Sequence, residues 1–266
     1  MSEIVALILI GMSAGVLAGL FGIGGGLVIV PAMTALLLVQ GVPAELAVTT
    51  AVATALGSML LTSAASAWSH ARRGNVDWPV ALRVGPAVAF GALAGAWLAM
   101  QMGGAMLARV FAVFTALIAL RMLLGAGSAT RSYPDAIPAR PRGWWLAGPL
   151  IGAVSAMIGI GGGSFNVPWL VWNGYSTLRA VGIAAACGWP IALGGSLAFM
   201  FSAGLPADPV PRTLGYLYLP GVIVIGIIGS LAAPLGVRLA HRIGSTGLAR
   251  LFGVLLLLIA LRMAFY

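Results

Sequence analysis

Two copies of the peptide Gly-Ile-Gly-Gly-Gly stand in apolar stretches of this chain, each followed by a proline five residues on. The first is Gly22, Ile23, Gly24, Gly25 and Gly26 with Pro31; the second is Gly159, Ile160, Gly161, Gly162 and Gly163 with Pro168. Consecutive glycines destabilise a helix interior, so each copy predicts a helix break and a new helix starting after Gly26 or Gly163. The N–H groups at such a start lack intrahelical partners, and the helix dipole adds about half a positive charge there. Such an end binds an anion without a cationic side chain. Ser164 and Asn166 follow the second break and can donate further hydrogen bonds. The competing reading is that these glycines only let helices pack closely, as small residues do in membranes.

The next apolar segment of each half supplies the remaining candidates. The first carries Thr49, Thr50, Thr54 and Ser58, and the second carries Cys187, Trp189, Pro190 and Ser196. Most intramembrane hydroxyls bond back to their own helix; Thr49 and Thr50 are kept as anion contacts. Trp189 reads by default as core, with a substrate wall or a gate as alternatives. Pro190, like Pro31 and Pro168, has a structural role, and Trp189-Pro190 predicts another broken helix.

Other chemistries lack residues. The lone Cys187 rules out an intramolecular disulfide and a CxxC metal site. The chain has no Lys, so the glycines cannot form a P-loop. Glu45, after Pro43, and Asp77, before Trp78, fall where helix starts are expected. His70 and His241 adjoin arginines and read as interfacial. No metal-ligand cluster and no Ser-His-Asp arrangement is visible, and an intramembrane enzyme would need ionisable groups at depth. The expectation is therefore no enzyme, no cofactor and no metal.

Hydrophobic residues make up 61% of the 266 and charged residues 7%, with a mean hydropathy of +1.08. This composition belongs to a polytopic helical membrane protein; the apolar runs are continuous, unlike the alternating strands of a membrane β-barrel. They fall at 4–40 and 144–173, both broken at the glycines, and at 46–68, 79–101, 106–124, 180–203, 215–238 and 247–265. The first reads as a structural segment, since no basic stretch precedes it. Trp68, Trp78, Trp144, Trp145, Trp172, Tyr175, Tyr216 and Tyr266 read as interfacial anchors. The net charge of +9 comes wholly from Arg over acids; its place in short loops points to membrane topology, not to nucleic acid.

The chain is a duplication. AGVLAGLFGIGGGLVIVPAM at 14–33 matches IGAVSAMIGIGGGSFNVPWL at 151–170, and LIALRM recurs at 117–122 and 258–263. This divides a single membrane domain into a first repeat, 1–124, a basic linker, 125–142, and a second repeat, 143–266. If each broken segment is a hairpin of two short helices, the repeats are inverted. Arg72, Arg73, Arg131, Arg140, Arg142, Arg179, Arg238, Arg242 and Arg250 then all lie in the cytoplasm, as the positive-inside rule favours, and Arg109 and Arg212 are left outside, Arg212 close to Asp208. Counted as full crossings, the repeats would be parallel and the rule would fail at Arg238, Arg242 and Arg250. The fold expected is all-α, with two inverted repeats each beginning in a glycine-broken hairpin.

GLFGIGGGLVIVPAM, HARRGNVDW, GIGGGSFNVP, AVGIAAACGWPIALGGS and GYLYLPGVIV with the ending LARLFGVLLLLIALRM resemble the sulfite exporter TauE/SafE family across essentially the whole chain. The resemblance implies a multi-pass permease of the bacterial inner membrane that handles sulfite, sulfonates or related anions. Its glycine motifs fall on Gly22, Gly24, Gly25, Gly26 and Pro31, and on Gly159, Gly161, Gly162, Gly163 and Pro168; its threonine falls on Thr50. Many relatives have Thr-Ser where this chain has Ile183 and Ala184, which suits a less strongly hydrated anion than sulfite. The expected partners are a small anion and the lipid bilayer. An uptake or channel-like permease for another organic anion, or a non-transporting membrane scaffold, are the alternatives.

Overall fold

A computed structural model describes residues 2–21, 25–125, 141–202, 210–242 and 245–265. Its helices are α1 (Ser2–Phe21), α2 (Gly26–Val39), α3 (Ala44–Ala71), α4 (Trp78–Gly125), α5 (Trp144–Met157), α6 (Gly163–Trp172), α7 (Thr177–Met200), α8 (Leu219–Arg242) and α9 (Ser245–Ala264). Between α7 and α8 a small hairpin pairs β1 (Thr213–Leu214) with β2 (Leu217–Tyr218), antiparallel. The apolar segments expected from the sequence thus appear as helices, and both glycine motifs lie between a pair of them.

Length sorts the helices. Among the described residues, five are long and apolar enough to cross a bilayer: Glu3–Leu20, Ala44–Ala71, Trp78–Leu124, Thr177–Met200 and Leu219–Leu239. Helices α2, α5 and α6 have 14, 14 and 10 residues; at 1.5 Å per residue they reach about 15–21 Å, short of a hydrocarbon core about 30 Å thick. Helix α4 has 48 residues and is no single rod, because Gly103 interrupts it at φ 71 and ψ 159. That dihedral region is open essentially to glycine alone. The two limbs match the two separate segments expected at 79–101 and 106–124.

Helix α3 is the hub. Its residues from Ala47 through Met59 are all buried, and it packs on α2, α7 and α8. A Cβ on Gly195 of α7 would meet Leu56, and one on Gly188 would meet Ser63, so α3 and α7 cross antiparallel. Around this pair the other long helices approach through small residues. On α1, Gly11, Gly15 and Gly19 lie against Ile225, Gly229 and Ala233 of α8, so these two helices run parallel. On α4, Gly91 and Gly95 lie against Pro149 and Ala153 of α5, again parallel. A Cβ at Gly15, Gly19, Gly91 or Gly95 would overlap the facing backbone. Close packing by membrane glycines is thus seen at these GxxxG faces, where backbones touch without intervening side chains.

Gly95→Val forces the α4–α5 crossing apart. It is expected to destabilise the protein by about 1–3 kcal/mol, seen as a lower thermal midpoint in detergent. Gly85→Ala, where a Cβ meets only Pro190 at an ordinary 3.5 Å, should stay within about 0.5 kcal/mol of the parent.

Candidate functional site

The two glycine breaks meet. A Cβ on Gly26, the first residue of α2, would overlap the carbonyl oxygen of Gly159, and one on Gly159 would meet Val30 of α2 at 2.9 Å and Val52 of α3 at 3.2 Å. Gly22 and Gly24, with Ile23, lie outside the described residues. Gly25 caps α2 at φ 78, and its carbonyl accepts from Val28 and Ile29. A Cβ there would come within 2.8 Å of the Ala14 carbonyl, so the chain folds back alongside α1.

At the second break each glycine has a separate task. Gly159, at φ 63, ends α5: its N–H donates to Ala156 and the N–H of Ile160 donates to Ser155. This is a Schellman closure, whose left-handed position favours glycine. Gly162 caps α6, accepting from Phe165 and from Asn166 at 2.6 Å, and Gly161, Gly162 and Gly163 are all buried. The new helices start at Gly26 and Gly163, one residue earlier than expected.

Asn166 is 0% exposed, and neither Oδ1 nor Nδ2 has a hydrogen-bond partner. The carboxamide folds back over the helix start: a Cβ on Gly162 would lie 2.5 Å from Nδ2. Leaving a buried polar group unpaired costs about 1–3 kcal/mol, so this side chain weakens the fold where it stands. Ser164 has a buried hydroxyl with no partner, as do Ser155 at the end of α5 and Ser196 on α7. Sequence reasoning passed over Ser155 and set Ser196 among ordinary hydroxyls; lone serines in apolar helices carry no spacing signal.

The other candidates divide. Thr49 and Thr50 are buried, but the Thr49 hydroxyl donates back to Glu45 of its own helix at 3.2 Å. Thr54 donates to the Thr50 carbonyl at 2.6 Å and accepts from the Tyr218 N–H at 3.0 Å, tying α3 to the β hairpin. Trp189 is 43% exposed on the outer face of α7, which corrects its reading as core. Helix α7 runs unbroken through Pro190, because Pro190 removes one ladder bond without ending the helix. Pro31 and Pro168 likewise sit inside α2 and α6.

Charged and aromatic groups sit mostly at the ends. Asp77 accepts from the Val80 N–H at 3.3 Å, capping α4, and Glu45 lies in the first turn of α3, as expected. His70 is buried at 1% exposed in the last turn of α3, and Tyr175 is buried at 1%, not an anchor. Burial, and then the nearby Asp77, push the Tyr175 phenol up. His241 and Tyr266 have no described side chains. The pattern also missed a polar knot: the Tyr218 phenol donates to Glu3 of α1 and has Gln40, after α2, as a second side-chain partner. Burial first, then Glu3, push that phenol up to about 12.

Apolar helices packed through glycine faces, with two helix breaks meeting inside, define a polytopic membrane protein built like a transporter. The chain belongs to the sulfite exporter TauE/SafE family, which it matches over residues 7–263, and is a membrane transporter of that family. It is 33% identical over 257 residues to a "Probable membrane transporter protein" of Haemophilus influenzae, with 96% of each chain covered. It is 28% identical over 241 residues to a protein of Methanocaldococcus jannaschii similarly named, covering 89% of this chain and 86% of that one. A Bacillus subtilis relative named YunE, also a "Probable membrane transporter protein", is 34% identical over 116 residues, which is 44% of this chain and 40% of that one. No solved structure matches.

Thr54→Val leaves the buried Tyr218 N–H without its acceptor and should cost about 1–3 kcal/mol, whereas Thr54→Ser should keep most of the stability. Because the Tyr218 phenol is raised in the folded state, its contribution is full below about pH 10 and is lost as pH rises through about 12. Thermal midpoints measured across that window should fall, and Tyr218→Phe should flatten the fall.

Proposed function

We propose that this protein is a secondary transporter that exports small sulfur-containing anions, sulfite or organosulfonates, across the bacterial inner membrane. The observation that carries the reading is the buried start of α6 with the unpartnered Asn166 carboxamide folded over it. In this reading Gly161, Gly162 and Gly163 bring backbone N–H groups to the anion, and Ser164 and Asn166 add side-chain bonds. Gly22, Gly24, Gly25, Gly26 and Gly159 shape the facing break, Thr49 and Thr50 line the approach on α3, and Trp189, at the surface of α7, takes a peripheral part.

The transport unit is one membrane domain of two inverted repeats, 1–124 and 143–266, joined by the linker 125–142. Two observations support this. Helices α3 and α7 correspond in the repeat and cross antiparallel, and the parallel pairs α1–α8 and α5–α4 exchange places when the halves are interchanged. Contacts also gather the arginine-rich segments at one end: the Arg142 N–H donates to Asn173 at 2.8 Å, and Gly182, near Arg179, lies against Asn75, near Arg72 and Arg73. Placed in the cytoplasm, that end satisfies the positive-inside rule.

An inside-negative potential favours the exit of an anion by about 2.3 kcal/mol per charge per 100 mV. Export then requires no coupled proton. In proteoliposomes, sulfite efflux should rise with an inside-negative potential and persist when pH and Na⁺ gradients are collapsed; flux indifferent to voltage but abolished with the proton gradient would overturn this. Gly162→Ala, whose Cβ would displace Asn166 and Ile191 side chains but no backbone, should lower flux at least tenfold while the protein stays folded. In a Cys187→Ser background, Ser128→Cys should be labelled from the inside only and Pro211→Cys from the outside only.

A further inference from the structure

The two breaks share a sequence motif but not a polar lining. Aligned on their glycines, Ser164 and Asn166 of the second copy correspond to Leu27 and Ile29 of the first. Leu27 and Ile29 are fully buried apolar residues. Recognition is therefore one-sided, at the N-terminus of the ten-residue α6.

What Asn166 asks of a ligand follows from its chemistry. A carboxamide has two donors on nitrogen and an acceptor oxygen. Both ends are buried without partners, whichever way the amide is turned. Ser164 is two residues away on the same helix, and residues so spaced do not face each other. The N–H groups of the α6 start are donors only. An anion offering nothing but acceptor oxygens would satisfy those N–H groups and Nδ2, but would leave Oδ1 facing lone pairs in a buried site. A ligand with an O–H or N–H beside its anionic oxygens satisfies both ends.

We propose that the site at the start of α6 selects an oxyanion that carries its own hydrogen-bond donor: a monoprotonated inorganic oxyanion or a hydroxyalkyl sulfonate, in preference to a fully deprotonated or alkyl-capped one. This rests on the reading of that site as the transport site. Asn166 is the specificity-determining residue, with Nδ2 donating to the anionic oxygen and Oδ1 accepting from the ligand's donor.

The test uses the purified full chain and two near-isosteric probes, hydroxymethanesulfonate and ethanesulfonate, which differ by a hydroxyl in place of a methyl. Apparent affinities come from ligand-dependent shifts of the thermal midpoint. Hydroxymethanesulfonate is expected to bind at least tenfold more tightly, and in Asn166→Leu the preference should disappear. A second arm titrates sulfite against pH: its apparent affinity should fall with the monoprotonated fraction, while that of ethanesulfonate stays level. This arm separates an inorganic from an organic source of the donor. Because the comparison between probes is made within the wild-type protein, it holds even if the variant fails to fold. Equal binding of the two sulfonates overturns the donor requirement and leaves the transport site standing. No shift with any of the three anions overturns both.

Discussion

The contact between Gly26 and Gly159 is the constraint on which the interior depends. Two chain breaks from opposite halves touch backbone to backbone, and no side chain fits between them. Each break would be costly alone, because unpaired peptide groups have no place in hydrocarbon. Brought together behind α3, they are enclosed by protein, with the start of α2, the end of α5 and the start of α6 gathered there. The GxxxG faces of α1, α4 and α5 serve the same end at longer range. They draw the long helices close enough that the breaks are held together in the interior.

Symmetry in the scaffold and asymmetry in the lining answer to different demands. Packing is satisfied by small residues at matching places, so the glycines of α1, Gly11 and Gly15, recur on α5 as Gly148 and Gly152. Recognition of one small ligand would need only one set of polar groups, and the second break carries Ser164 and Asn166 where the first carries Leu27 and Ile29. The result is a core in which Asn166 sits unpaired opposite a sister motif lined by Leu27 and Ile29. Such a group weakens the fold, and its place at a helix start is where a ligand gives it most to do.

Much of this was legible in the sequence, for physical reasons. Continuous apolar runs must be helices in a membrane, and triple glycines must interrupt them, so the segments and both breaks could be read directly. Asn166 stood out as a polar residue just after a break. What the sequence hid depends on rotation about helix axes and on contacts distant along the chain. Trp189 and Tyr175 exchange their expected environments because the pattern of an apolar helix does not say which face meets lipid. The knot of Glu3, Gln40, Thr54 and Tyr218 joins residues from three elements and the turn after α2. Pro190 suggested a broken helix, but its neighbours hold the ladder together around a single missing bond.

Gly103 makes two helical limbs out of one. With helical dihedrals at that residue, α4 would be a rod about 72 Å long, more than twice the thickness of the hydrocarbon layer. With its actual φ of 71 and ψ of 159, the same residues make two membrane-length limbs, one packed on α5 and α7 and the other on α9. The division of α4 into two limbs is therefore written in a residue that has no side chain and whose Cβ position meets nothing within 4 Å.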